Sequence, residues 1–264
     1  MAIYHFEVAP VQRSKGHSAV ARAANRSGTR LHDWQTGKAH DYRRRQDVVM
    51  VKIIAPDSAP EWADDREKLW NHAELAEKRW NSQPAREIRL GLPYELTDRQ
   101  RAALVLGYVR DVFVSLGMVA DIGIYRPGDD GDGRNHHANI LLTMRELDGE
   151  QFYRKKQREW SKIQKLIYWR EQWAEYQNRA LEAAGSDARV DHRSLEAQGI
   201  DRETTKHMGM AAMAMERKGK QTQLGDRNRE IVEQNRTHEA LVNELAAVEA
   251  EISTLPEADD TPAR

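Results

Sequence analysis

The sequence predicts an α+β protein: a five-stranded, mostly antiparallel sheet covered by helices, followed by helical segments toward the C-terminus. Three observations carry this reading. Residues 2–8, 48–54, 86–92, 119–125 and 138–145 combine β-branched side chains with period-two alternation. Helical patterns separate these strands, as expected where helices lie against one sheet. After Leu147 the strand signal stops and long helical patterns take over.

Each element has its own local reason. The first strand, 2–8, passes into a loop and then a helix over 18–27, opened by Ser18 as an N-cap and stopped by Gly28. A second helix over 61–80 places Trp62, Leu69, Leu75 and Ala76 near one face, with Trp70 and Trp80 adding aromatic bulk. A third, over 97–116, starts at a Thr97 cap, carries Leu104, Leu106, Val109 and Val112, and halts at Gly117. Residues 157–184 form one long pattern in which Trp169, Trp173, Tyr176 and Ala180 recur at helical spacing, a stripe suited to a core, with Gly185 closing it. Shorter elements follow over 190–198 and 201–219, where residues 208–215 supply soft, methionine-rich packing surface. An acidic amphipathic helix over 226–253 carries Leu241, Leu245, Val248 and Ile252, and the last residues are expected to fray. Domain boundaries are placed at 1–150, 151–225 and 226–264.

Composition removes several classes of function. The 264 residues contain no cysteine, which excludes disulfides, thiolate metal sites and thiol nucleophiles. Any metal must be held by His, Asp, Glu or amide oxygens. Nothing approaches the roughly 18 apolar residues of a membrane span, and the N-terminus reads as a strand, so a soluble, cytoplasmic protein without membrane insertion is expected. The 41 basic and 42 acidic residues nearly cancel, yet they are unevenly placed. Residues 11–46 hold nine Lys/Arg against two Asp, an excess of seven; residues 226–264 hold four Arg against ten acids. A basic block on a neutral chain suits a phosphate backbone.

The most chemically suggestive stretch is 134–142, Arg-Asn-His-His-Ala-Asn-Ile-Leu-Leu, which follows a Gly/Asp-rich loop. On a strand, His137 and Asn139 point to the same face and can jointly meet a metal or a phosphate. The loop aspartates lack the spacing and terminal glutamate of a calcium loop.

Several segments, taken together, resemble the MobA/MobL-type conjugative relaxases of the HUH superfamily. They are residues 1–6, Arg13-Ser14-Lys15-Gly16, residues 18–24, Arg26-Ser27-Gly28, His40-Asp41-Tyr42, residues 81–88, Gly91-Leu92-Pro93, the 135–143 strand, residues 190–195 and Gly225-Asp226-Arg227-Asn228-Arg229. The resemblance covers roughly residues 1–230 in order. It implies a relaxase catalytic core over 1–150, completed by the helices of 151–225. It also implies a plasmid-mobilisation enzyme whose tyrosine attacks a phosphodiester, aided by a divalent cation, Mg²⁺ or Mn²⁺. The implied partner is transfer-origin DNA, a single strand with an adjacent hairpin, with relaxosome accessory proteins beside it. Arg13, Lys15, Arg22, Arg26, Arg43, Arg44 and Arg45 are the residues expected to hold that DNA.

Two positions depart from the family pattern. Where relatives read Ala-Ala-Tyr, this chain reads Ala23-Ala24-Asn25, and asparagine has no hydroxyl with which to form the phosphotyrosyl ester. Where the metal strand reads His-Ala-His, it reads His137-Ala138-Asn139, and an amide oxygen is a poorer ligand than imidazole. Glu87 matches a carboxylate ligand position, so Glu87, His137 and Asn139 form the expected, weakened metal set. Tyr125 stands where other members carry a further histidine. Tyr4 and Tyr42 match ordinary family tyrosines, Ser27 does not share the face of Asn25, and His5 is a candidate neighbour of the metal strand. The leading expectation is a DNA-binding relaxase domain with impaired nicking. The alternatives are an active strand-transferase with an unorthodox nucleophile, or a non-catalytic helical interaction module.

Overall fold

The computed structural model describes residues 4–128, 133–206 and 208–253. In chain order the elements are β1 (Phe6–Val11), α1 (Ala19–Ser27), β2 (Arg30–Asp33), β3 (Lys38–Asp41), β4 (Val48–Ile54), α2 (Arg66–Leu75), β5 (Ala85–Gly91) and α3 (Asp98–Val112). They continue with β6 (Ala120–Tyr125), β7 (His137–Thr143), β8 (Leu147–Asp148), β9 (Gln151–Phe152), α4 (Ile163–Ala183), α5 (Gly209–Arg217) and α6 (Gln223–Ser253). The main sheet has the order β1-β5-β7-β6-β4, with every neighbouring pair antiparallel. The α+β class and five-stranded antiparallel sheet are as expected.

Helices cover both faces of this sheet. On one face Phe6, Ile88, Leu90, Ile122, Ile140 and Leu142 pack with Leu104, Val105 and Tyr108 of α3 and Trp169 and Trp173 of α4. The tryptophan stripe is therefore core, and the Tyr108 hydroxyl donates to the Trp169 carbonyl at 2.8 Å. On the other face Val11, Ala85 and Leu141 meet Ala19, Val20, Ala23 and Ala24 of α1, and Leu69 and Trp70 of α2. The alanines of α1 let its backbone approach the strands closely, which matters for the site below.

Contacts divide the chain into Met1–His192 and Arg193–Arg264. The break thus falls after α4 and the segment that packs beneath it, where the sequence reading had placed boundaries at 150 and 225. The reason is that α4 belongs to the same apolar cluster as the sheet.

Several expected bounds shift. The first strand runs later than 2–8, through Pro10, because β1 is an edge strand and an edge tolerates proline; residues 1–3 lie outside the described residues. The 61–80 helix breaks into a 3₁₀ turn at Glu61–Asp64 and α2, capped by Asp65, whose carboxylate accepts from the Lys68 amide. It ends at Leu75, leaving Trp80 76% exposed instead of in a core. The 97–116 helix keeps its Thr97 cap and closes with a 3₁₀ turn, Val114–Leu116, before Gly117 at φ 90°. The 157–184 helix begins at Ile163 after a 3₁₀ turn. Over 190–198 only a short 3₁₀ turn, Glu196–Gln198, forms, and the 201–219 pattern contracts to α5. The β2–β3 hairpin was not foreseen; its strands are four residues each and too short for a periodicity signal.

Asp33 at the end of β2 anchors this hairpin to α1. Burial pushes its carboxyl up, but hydrogen bonds from the Thr36 amide, the Ser18 hydroxyl and the Gln35 amide outweigh burial and hold it below its ordinary 3.8. A carboxyl depressed by folding contributes stability above its unfolded pKa and loses it as pH falls through the folded one. Urea unfolding between pH 5 and 2 is therefore expected to show an acid-limb slope that Asp33→Asn reduces; an unchanged slope would contradict the assignment.

Candidate active site

The site lies on the α1 face of the sheet, at the end beyond the alanine contacts. Antiparallel register stacks its residues in rows. Ala9, Glu87, Leu141 and Asp121 share one row; Glu7, Arg89, Asn139 and Gly123 the next; Gly91, His137 and Tyr125 the last. Glu87, Asn139 and His137 therefore do share a face, as alternation requires.

The helix above them is placed by its caps. The Ser18 hydroxyl accepts from the Ala21 amide, and Gly28 at φ 63° closes the last turn. Asn25 sits exposed in that turn, while Arg26 points down into the sheet with its side chain 1% exposed. Gly123 makes room for it: a Cβ there would lie 2.7 Å from Arg26 Cγ and 2.3 Å from the Tyr125 hydroxyl. A glycine within a strand marks this kind of close approach.

Arginines occupy the surroundings. Arg26 Nη2 donates to Glu87 Oε1 at 2.6 Å, and Arg22 Nη1 stands 3.5 Å from Glu87 Oε2. Arg45 donates to both oxygens of Asp47 at 2.8 and 2.5 Å, and its Nη1 donates to the backbone and side-chain oxygens of Asn25 at 2.9 and 3.1 Å. The same guanidinium lies 4.5 Å over the Tyr125 ring, which stacks on His137 at 5.0 Å between centroids. Arg89 donates to the Asn139 side-chain oxygen at 3.4 Å and to Glu7 at 3.3 Å. His5 stands 3.8 Å from that same Glu7 carboxylate.

Protonation states follow from these contacts. Burial pushes the Tyr125 hydroxyl up to about 12 against the pull of Arg26 and Arg45, and that hydroxyl donates to the Arg26 carbonyl at 2.8 Å. It is buried and engaged. Burial holds His137 below its ordinary 6.5, and its Nδ1 faces the Asn135 carbonyl at 3.2 Å, so Nδ1 carries the proton. Two further hydroxyls are also committed: Ser27, buried in α1, donates to the Ala23 carbonyl, and Tyr4, packed on the α4 side of the sheet, donates to the Arg170 carbonyl.

A divalent cation fits this donor set poorly. Of the three expected ligands only His137, through Nε2, offers a ligating atom not already engaged by an arginine. Asn139 turns its oxygen to Arg89, and Glu87 is already neutralised by two guanidiniums. Freeing Glu87 would strand buried Arg26, a loss on the scale of about 3–5 kcal/mol. Among the described residues no three His, Asp or Glu side chains gather as a ready metal site.

The seven basic residues expected on DNA separate into distinct groups. Arg13 is structural: its guanidinium donates to the Glu74 carboxylate and to the Glu74 and Glu77 carbonyls. Arg26 and Arg45 are held as described, and Arg43 is chelated by Asp41 on the surface. Lys15 and Arg44 are exposed and, among the described residues, without a carboxylate partner; Arg22 stays partly open beside Glu87.

Sequence reasoning missed Arg89, Asp47 and the stacking of Tyr125. It also missed a second basic surface. A cavity of about 540 Å³ is lined by Lys78, Arg79, Arg145, Arg154 and Lys156 against one carboxylate, Glu77, which Arg145 and Lys156 neutralise. Trp80 stands exposed next to Arg79 in the chain. Its signal in the sequence was an aromatic between Arg79 and Asn81 that no helical face required.

Comparison with known proteins places the chain. The family model for the MobA/MobL family matches residues 17–218. Mobilization protein MobL of Acidithiobacillus ferridurans is 36% identical over 247 residues, covering 83% of this chain and 65% of its own length. The probable mobilization protein MobA of Bifidobacterium longum is 33% identical, over 94% of this chain and 50% of its own length. Conjugal transfer protein TraA of Rhizobium radiobacter is 34% identical, over 84% and 22% respectively. The chain thus spans between about a fifth and two thirds of these relatives. A solved structure described as the molecular basis of vancomycin resistance transfer in Staphylococcus aureus superposes with a TM-score of 0.68 at 33% identity, over 73% of this chain and all of that one. The family model matches well over half of the chain and these relatives are more than 30% identical over most of it, so the chain belongs to the MobA/MobL family.

Proposed function

We propose that this chain is a relaxase domain for plasmid mobilisation that binds transfer-origin DNA, a single strand and its adjacent hairpin, while its strand cleavage is impaired. The observation that carries the reading is Asn25: it occupies the exposed last turn of α1 where the nucleophile is expected, and Arg45 holds its amide oxygen. The buried hydroxyls of Ser27 and Tyr125 are each engaged by a backbone carbonyl, so neither replaces it. The exposed Lys15 and Arg44 and the Arg79–Arg154 cavity supply cationic surface for the strand. No helix among the described residues is long and apolar enough to cross a membrane. The cytoplasm, where plasmid DNA is handled, is the proposed place of action, with relaxosome proteins as further partners.

The reading is tested by fluorescence anisotropy with single-stranded and hairpin oligonucleotides, followed by a denaturing gel for covalent adduct. Binding without adduct is expected. Log affinity should fall linearly with log salt, and Lys15→Glu or Arg44→Glu should each reduce the slope by about 0.7. Arg13→Ala should instead leave the slope alone and destabilise the fold by about 3 kcal/mol, because it strands buried Glu74. Trp80→Ala should weaken binding by about 1–3 kcal/mol through lost base stacking, with Trp80→Phe retaining much of it. Salt-insensitive binding, or none, would overturn the proposal.

A further inference from the structure

We infer that the place expected to hold a metal is an oxyanion cradle that takes one DNA phosphate directly, through Arg22 and Arg89 with the side-chain amides of Asn25 and Asn139, above the carboxylate-held guanidiniums of Arg26 and Arg45. This rests on the DNA-binding reading and specifies how that site recognises its ligand.

The charge arrangement favours an anion. Four guanidiniums face three carboxylates, Glu7, Asp47 and Glu87, so the cluster keeps a positive charge in excess. Arg22 and Arg89 remain 42% and 51% exposed, open to a ligand. With only His137 offering an imidazole, a dication here would gain too little coordination to offset repulsion by the excess charge, whereas a phosphodiester neutralises it. Guanidinium forks also match phosphate oxygens geometrically.

The amides point the same way. Asn25 turns its oxygen to Arg45 and Asn139 turns its oxygen to Arg89. What each leaves free is an NH₂ group, a donor that suits an oxyanion and cannot ligate a cation. Beneath them, buried Arg26 retains Nε and Nη1 without an acceptor among the described residues. A buried cationic group with unused donors is an electrostatic support for negative charge above it. The two asparagines that depart from the family pattern are thereby the two neutral donors of the cradle.

The test uses the full chain and three probes: Mn²⁺ alone, inorganic phosphate alone, and a labelled single-stranded oligonucleotide. Calorimetry with Mn²⁺ should show no binding in the micromolar range. Oligonucleotide affinity should be the same in EDTA and in Mn²⁺ to within about twofold, and Arg22→Ala and Arg89→Ala should each lower the salt slope by about 0.7. Asn25→Asp and Asn139→Asp, which replace a donor by an anion of the same shape, should each weaken binding roughly tenfold without lowering the melting temperature. Inorganic phosphate should bind the wild type and lose affinity in Asn25→Asp, followed by NMR.

Mn²⁺ tightening DNA binding by more than about tenfold, or these variants binding as wild type does, would overturn the cradle. If phosphate binds at these residues and the oligonucleotide does not, the DNA reading fails and with it the assignment of the cradle to a DNA phosphate, leaving only an oxyanion site. If the oligonucleotide binds and ignores the cradle variants, the cradle fails and the DNA reading stands.

Discussion

The double variant Asn25→Tyr, Asn139→His is expected to form a covalent protein–DNA adduct, while wild type and Asn139→His form none. Asn25 is exposed in the last turn of α1, so a larger side chain there displaces no core atom. Arg45, which now holds the Asn25 oxygen at 3.1 Å, would stand beside the new phenol and lower its pKa, favouring the nucleophilic form. Asn25→Tyr alone should therefore give a trace of adduct that persists in EDTA, with guanidiniums the main groups polarising the phosphate. Adding Asn139→His places a second imidazole two residues from His137 on the same strand face. The double variant should then gain on the order of tenfold to a hundredfold over Asn25→Tyr, and that gain should depend on Mn²⁺ or Mg²⁺. The two repairs serve one reaction, so their effects should be non-additive. Denaturing gels and peptide mapping of the adduct decide the matter. An adduct formed by wild type, mapped to any residue, would instead establish an active strand-transferase with an unorthodox nucleophile.

Asp121→Ala is expected to be the most destabilising single change outside the apolar core, at about 3–5 kcal/mol. Asp121 is fully buried on the α1 face of β6, in the same row as Glu87. Both its oxygens accept from Arg66 of α2, at 2.8–3.0 Å, and Oδ2 also accepts from Trp70 Nε1 at 2.9 Å. Removing the carboxylate leaves a guanidinium and an indole N–H without an acceptor inside the protein. At roughly 2–4 °C per kcal/mol for a domain of this size, the melting temperature should fall by about 6–20 °C. Trp70→Phe keeps the ring and removes only one hydrogen bond, so it should cost about 1 kcal/mol. Urea unfolding of both variants checks the ratio; an Asp121→Ala loss near that of Trp70→Phe would show that the ion pair contributes little.

These two sites differ in how far the sequence discloses them. Asn25 is legible because it interrupts a family pattern of local residues, Ala23-Ala24-Asn25, at one helix end. The capped ends of α1 and α3 are legible for the same reason: Ser18, Gly28, Thr97 and Gly117 act within a few residues of themselves. His137 and Asn139 are legible as face-sharing partners because strand alternation is a local rule. The partners of the arginines are not local. Arg13 meets Glu74 and Arg26 meets Glu87 across 61 residues each, and Arg45 meets Asn25 across 20. A count of charges over 11–46 cannot distinguish an arginine open to DNA from one whose donors are spent on a distant carboxylate. Gly123 and Tyr125 carried one usable hint, a glycine two residues before a tyrosine within a strand, which marks where Arg26 would pass.

The sequence by itself determined the class of fold and the order of its main elements, and it marked Asn25 as the residue that departs from the family pattern. Each of these follows from local periodicity, from caps, or from the identity of a single side chain. Only the tertiary structure decided what surrounds that residue. Pairing β1, β5, β7 and β6 in register and lowering α1 onto them through its alanines brings Arg22, Arg26, Arg45 and Arg89 to one place. Whether a carboxylate such as Glu87 is free to ligate or is already neutralised depends on distances of a few ångströms between segments far apart in the chain, and Coulomb energies change steeply over such distances.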